Sequence, residues 1–473
     1  MKEFIKSFFA FGIAITFEKI IAFLLIPIYT RYFNLTEFGI IDLIFVTIAL
    51  ASIFAELQLE TALQRYYYDF TGLSKLRFTS TIFILIISIS FLLTFLIIIF
   101  SNQISFLLFS DYKYHNLVAI ASILIPFNNF SMLSLILLRF EKKNKQFVIV
   151  VLAKVILMLL TIIIFVVYLK IGILGVFIAH LVANIFSSLI LFFLIKDFII
   201  YKISKNFIKI SFSYAFPQIP ARIGSAFLAN GNRFFMISYL SVVSIGLFSL
   251  SLKLASVIQL LNIAFITAWN PFMFEQFKIK NNKQVFVNFL PLVACLVYLI
   301  VITISLFSKE IVSIIAHKQF SESYKYVGAL CLYFSIYIFK EIVDIGPKFT
   351  EKTKYLSYSF LISLLVNFIS LFFLIKYFDL KGVVLSMIIS NIVLLILSWY
   401  FSNKLYYIPH NIMNFLFLSA PAFVISIGIM YVEMDIIERF LIFIFISLFY
   451  FYFFISSYKK NIESLDNNNL SIN

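Results

Sequence analysis

Apolar runs of about twenty residues follow one another along the whole chain, each broken by a short polar stretch. About twenty apolar residues are what a helix needs to cross roughly 30 Å of hydrocarbon. The runs lie at 7–29, 39–63, 79–100, 117–138, 147–169, 173–195, 208–232, 244–270, 286–307, 326–346, 356–376, 382–402, 412–431 and 438–457. They predict an all-α membrane protein with about 14 transmembrane helices. The alternating ten-residue stretches of a membrane β-barrel are missing from the pattern. Composition agrees: 63% of the 473 residues are hydrophobic, mean hydropathy is +1.05 and only 12% are charged, against about 25% in a soluble domain.

An even number of spans puts both termini on one side, and the basic residues say which. By these bounds the tails and even-numbered loops carry 21 Lys and Arg, the odd-numbered loops 8, and the other eight lie within spans. Basic residues mark cytoplasmic loops, so both termini are expected in the cytoplasm. The net charge of +15 is then a matter of topology and of membrane lipid with an anionic inner leaflet. Being spread over many loops, it gives no reason to expect a nucleic-acid partner. Cys295 and Cys331 sit inside apolar runs and read as small buried hydrophobes. No metal-ligand spacing, phosphate-binding glycine loop or catalytic constellation is present, so neither a metal, a cofactor nor an enzymatic activity is expected. The last residues, "IESLDNNNLSIN", predict a disordered tail.

The first polar break, "FLLIPIYTRYFNLTEFGIID" (23–42), has a distant counterpart. Pro27 is expected to end one run and Gly39 to open the next. Setting "RYFNLTEFGIIDL" (31–43) on "SYLSVVSIGLFSL" (238–250) pairs Tyr32 with Tyr239, Gly39 with Gly246 and Leu43 with Leu250, all at an offset of 207. The same offset pairs Gly175 with Gly382, Val176 with Val383 and Asn184 with Asn391. It lays span 1 on span 7 and span 6 on span 12. Six spans keep orientation, so the repeats are parallel, a relation used by transporters that hold substrate between two lobes. The expected domains are a six-helix lobe (1–206), a second six-helix lobe (207–405), two added helices (406–460) and the tail (461–473).

Ionisable residues in mid-span are costly and mark pathways or partners. Span 7 places Gln218, Arg222, Ser225, Ala229 and Asn232 on one helical face, with Pro217 and Pro220 to bend it. Span 8 carries Ser249, Lys253, Ser256, Gln259 and Asn262, and span 2 carries Ser52, Glu56, Glu60 and Gln64. Glu18 and Lys19 lie in span 1 and Lys154 in span 5. Expected to line a central cavity are Arg222, Lys253, Lys19, Lys154, Gln218, Gln259 and Asn262, whose cations suit a phosphate or pyrophosphate group. Glu18, Glu56 and Glu60 are the candidates for coupling an ion. Plainer roles are assigned to the rest: interfacial anchoring to Arg31, Arg65 and Arg233, packing to His180, and a solvated or self-paired cluster to Lys340, Glu341 and Asp344.

"IPIYTRYF" (26–33), Glu37 to Gly39 and Arg65 to Asp69 together resemble the polysaccharide-transport branch of the multidrug/oligosaccharidyl-lipid/polysaccharide (MOP) exporter superfamily, and within it the Wzx-type O-antigen flippases. That family's "P…I…DR" in helix seven has Pro217, Pro220, Asn232 and Arg233 here, with Asn where Asp is usual. The resemblance implies an alternating-access flippase for a polyprenyl-pyrophosphate-linked oligosaccharide. Its expected partners are an undecaprenyl-pyrophosphate-type glycolipid, a polysaccharide polymerase and chain-length proteins. Three alternatives stand beside it: a lipid II flippase, a drug or cation exporter of the same superfamily, and a membrane polysaccharide polymerase working through the outer loop 307–325.

Overall fold

The computed structural model describes residues 17, 19–200, 202–277, 283–350, 352 and 354–470. Every regular element among them is helical. Among the described residues ten helices are long and apolar enough to cross a membrane, and Ile412–Gly428 is a shorter apolar one. One of the ten, Lys354–Leu405, has 52 residues and is divided by a kink at Asp379, whose φ of 48° and ψ of −131° are not helical. The chain is thus a multi-pass helical membrane protein. It forms two compact units, Met1–Ile237 with Ser241–Gly246, and Ser238–Leu240 with Leu247–Asn473.

The first unit opens with helix α1, which runs unbroken over 19–32. Pro27 lies inside it rather than ending it, and the Thr30 hydroxyl donates to the Ile26 carbonyl one turn back at 3.0 Å. Helix α2 (Leu35–Glu56) starts at an Asn34–Glu37 capping box. The Asn34 side chain accepts from the Glu37 N–H and the Glu37 carboxylate from the Asn34 N–H, each at 2.9 Å. Two of the orphan donors of a helix start are satisfied this way, so the helix begins four residues before Gly39. Gly39 serves contact instead. A Cβ there would run into the Val242 carbonyl, and a Cβ on Gly246 would run into the Leu35 carbonyl. The two glycines paired by the 207-residue offset meet backbone to backbone.

The second predicted span is two helices. Leu57 (φ 46°, ψ 28°) and Gln58 (φ 59°, ψ 15°) both adopt the left-handed conformation, after which α3 (Leu59–Tyr66) resumes. Helix α4 (Gly72–Ile99) and the short α5 (Ser101–Phe109) follow. The predicted fourth span is α6 (His115–Ser122) and α7 (Leu124–Phe140). Then come α8 (Asn144–Ile162), closed by a π-helical turn at Ile163–Tyr168, and α9 (Ile173–Ile195). The predicted seventh span is broken as its prolines require, into α10 (Lys205–Ala215), a 3₁₀ turn at Phe216–Gln218, α11 (Ile219–Asn230) and α12 (Asn232–Tyr239). Leu59, Leu63, Phe78, Ile82 and Leu137 make one buried cluster and Ile40, Ile44, Leu124, Ile125 and Phe177 another. In the polar segments, Lys75 and the Tyr67 hydroxyl donate to Glu141 at 2.8 and 2.6 Å. Burial pushes the Glu141 carboxyl upward, but those two donors outweigh it and hold the group below the ordinary carboxylate value.

Helix α13 (Val242–Gln276) has its first residues in the first unit and continues in the second. The second unit adds α14 (Lys283–Leu306), α15 (Ser308–Ile315), α16 (Tyr324–Val343), α17 (Ile345–Phe349), α18 (Lys354–Leu405), α19 (Ile412–Gly428) and α20 (Ile436–Leu470). The stretch expected to be an open outer loop, 307–325, is mostly α15 and a 3₁₀ turn at Lys318–Ser323. Arg439 ties it down, bidentate to Glu310 at 2.7 Å for each bond and donating to the Leu306 carbonyl at 2.8 Å. The polar cluster at the end of α16 is self-paired, not solvated. Lys340 reaches Asp344 at 2.6 Å and Glu341 at 3.1 Å, Lys348 reaches Glu341 at 2.6 Å, and Asp344 is fully buried. The predicted disordered tail is helical as far as Leu470, because no Pro or Gly stops α20 before that point. Cys295 and Cys331 are buried free thiols, as expected.

Candidate functional site

The sequence-predicted polar residues do not all converge. Glu18 lies outside the described residues. Lys19 on α1 is exposed and Lys154 on α8 is half-buried. Gln218, in the 3₁₀ turn between α10 and α11, spends its amide on the Tyr214 carbonyl at 2.9 Å. In the second unit α13 carries Lys253, half-buried, Gln259, exposed, and Asn262, whose Oδ1 is buried with no hydrogen-bond partner. Lys253's own carbonyl accepts from Ser256 Oγ at 2.6 Å.

What the first unit does assemble is a three-residue cluster at the break in the second span. Glu56 is the last residue of α2 and Glu60 lies in the first turn of α3. Their relative exposures are 8% and 7%. Arg222 comes from α11, with its guanidinium 3.9 Å from Glu56 and its side chain 47% exposed. Both carboxylates act electrostatically on one another and with Arg222. One residue of the cluster is open to a ligand, while the other two face inward.

The break gives this cluster its character. Two consecutive left-handed residues that are not glycine cost about 1–2 kcal/mol each, and such strain collects at functional sites. A helix end also leaves its last carbonyls without helical partners. Around the break, Ser52 Oγ, Gln58 Nε2 and Glu60 Oε2 are buried without hydrogen-bond partners. From α7, Asn129 Nδ2 donates to Ser90 Oγ of α4 at 2.9 Å and lies 3.4 Å from the Ser52 carbonyl. The cluster therefore sets two buried carboxyl groups against one guanidinium, in a setting where an excess charge is costly. Of its three side chains, Arg222 is the exposed one.

A second pair escaped the sequence reading. Arg233, expected at a membrane interface, is 5% exposed and donates from Nε to Asp42 at 2.6 Å. Beside it Asn232 is buried with both amide atoms unpartnered. Asp42 was hidden by its apolar setting, "GIIDLI", which reads as plain span. His180 packs, as expected, with its ring 4.7 Å from that of Phe45.

This architecture has known relatives. The lipid II flippase MurJ, in its inward closed conformation, matches over 93% of this chain and 97% of its own, with a TM-score of 0.71 and 20% identity. An inward-facing multidrug resistance MATE family transporter of the MOP superfamily matches over 85% and 96%, at 0.61 and 13%. A MOP superfamily transporter from Pyrococcus furiosus matches over 85% and 95%, at 0.53 and 14%. The fold is that of the MOP exporters. The family model described as "polysaccharide biosynthesis protein" matches residues 4–277, more than half of the sequence. The chain belongs to the polysaccharide biosynthesis protein family. No curated protein matches its sequence.

Proposed function

We propose that this protein is a flippase, moving a polyprenyl-pyrophosphate-linked oligosaccharide, an O-antigen or capsule repeat unit, from the inner to the outer leaflet of the bacterial inner membrane. It works by alternating access with both termini in the cytoplasm, and its movement is ion-coupled. The observation that carries this reading is Arg222, a half-exposed guanidinium in the predicted seventh span of a chain of the polysaccharide biosynthesis protein family. A guanidinium is built for bidentate binding of phosphate oxygens. Lys253, the next cation on the predicted polar stripes, is the second candidate contact. A polysaccharide polymerase and chain-length proteins are the partners such a product requires. The reading has the protein move its substrate without making or breaking a covalent bond in it.

The experiment is complementation of a flippase-null strain. The wild-type chain is expected to restore surface polysaccharide, and Arg222→Ala with Lys253→Ala to lose that ability while still inserting at normal abundance. Full complementation by the double variant would sink the assignment of these residues. Restoration of peptidoglycan synthesis in a strain depleted of its lipid II flippase, without surface polysaccharide, would move the substrate to lipid II.

A further inference from the structure

The cluster at the break in the second span sets two carboxyl groups against one guanidinium. Glu56 and Glu60 are both more than nine-tenths buried, and the guanidinium that pairs with Glu56 and acts electrostatically on Glu60 is exposed. Arg222 is therefore shared between two tasks. On its buried side it is the counter-charge of the carboxylates, and on its open side it is the group an anionic substrate would take. A guanidinium drawn onto a pyrophosphate no longer compensates the pair behind it, and two close carboxylates without a counter-ion cannot both stay ionised in a buried site.

Resting on the flippase reading, we propose that Arg222 couples anion binding to proton binding: when the substrate's pyrophosphate engages Arg222, the Glu56–Glu60 pair takes up one proton from solvent. The O–H bond forms on a carboxylate oxygen and nothing else is made or broken. Glu60 Oε2, buried and without a donor, is the acceptor the structure leaves open. The proton and the anion then cross together, and the site in transit carries less net charge than anion binding alone would leave.

The surroundings allow this. Helices α4, α6, α7, α10 and α11 pack on α2 and α3, while α9 meets α2 through His180 on Phe45, α12 through Arg233 bound to Asp42, and α13 through Gly246 at Leu35. Of their charged and titratable side chains, Arg222 of α11 acts on both carboxylates. Lys75 of α4 is bound to Glu141. Arg77 lies in the early turns of α4, His115 starts α6, Arg139 lies in the last turn of α7, and Lys205, Lys209 and Tyr214 belong to α10. Beyond Glu60, Arg65 is paired with Asp69 at 3.1 Å. The near neighbours Ser52, Ser90 and Asn129 are neutral.

The probe is farnesyl pyrophosphate, binding to the full-length protein in detergent. Because linkage is reciprocal, uptake of one proton makes binding about ten-fold tighter for each unit the pH falls. Calorimetry of the wild-type protein in two buffers of different ionisation enthalpy is expected to register that proton directly. Glu56→Gln with Glu60→Gln, which keeps shape and frees Arg222, is expected to bind at least as tightly at pH 8 and to lose the protein's share of the pH slope. Wild-type binding with no proton uptake overturns the proposal. So does a slope unchanged in the double variant, loss of binding in it, or a dependence on sodium in place of pH. A protein that moves glycolipid in vesicles yet binds the probe independently of pH defeats this inference and leaves the flippase reading standing. One that neither binds nor transports defeats both.

Discussion

Asp42 and Arg233 lie 191 residues apart and meet at 2.6 Å in a buried ion pair. Removing one partner of such a pair strands a charge and costs about 3–5 kcal/mol. Arg233→Ala is therefore expected to destabilise the protein by that much, read as a lowered thermal midpoint in detergent. The double change Arg233→Met with Asp42→Leu should recover most of the loss, and a single variant as stable as wild type would show the pair to be idle. His410, between α18 and α19, makes a different prediction. Its ring stands edge-on to Trp399, and burial pushes its pKa down from 6.5 to about 4. Between those values the unfolded chain binds a proton that the folded chain refuses. Stability is thus constant above about pH 6.5, falls as the pH drops through that window, and levels off below about 4. The full loss is about 3 kcal/mol at 1.4 kcal/mol per unit. His410→Phe should flatten that part of the profile, and an unchanged profile would place the titration elsewhere.

At the scale of elements, the first two spans carry the clearest consequences. Asn34 and Glu37 close the capping box that starts α2, so Asn34→Ala is expected to cost about 1 kcal/mol. Gly39 and Gly246 face each other's backbones, and a methyl at either forces helices apart. Gly39→Ala and Gly246→Ala should each cost about 1–3 kcal/mol, and the double variant less than their sum, because a single separation relieves both clashes. Additive losses in thermal unfolding would mean the two sites are independent. The sequence located the apolar runs and the bend at Pro217 and Pro220, because hydropathy and missing N–H groups are local properties. It did not locate the break at Leu57–Gln58. Neither residue is Gly or Pro, so nothing in the composition marks a left-handed pair, and only the surrounding structure holds it. The same holds for Asp42, which local apolarity disguised.

For the whole molecule, the helical membrane fold was legible because apolar runs recur over hundreds of residues. The site was legible in part. Arg222, Glu56 and Glu60 stood out as ionisable residues in apolar runs, but not that the carboxylates are buried and the guanidinium exposed. The sequence reading pooled four cations into one basic surface. The structure sets Arg222 against an acidic pair, while Lys253, Gln259 and Asn262 belong to the second unit. The central claim is that Arg222 contacts the pyrophosphate of a lipid-linked oligosaccharide during its passage. The most direct measurement is transbilayer movement of a fluorescent undecaprenyl-pyrophosphate oligosaccharide in vesicles containing the purified protein. Wild type should move it, and Arg222→Ala should slow it at least ten-fold at equal reconstitution, with Arg222→Lys in between because it keeps the charge and loses the bidentate fork. Equal rates for wild type and Arg222→Ala would contradict the account.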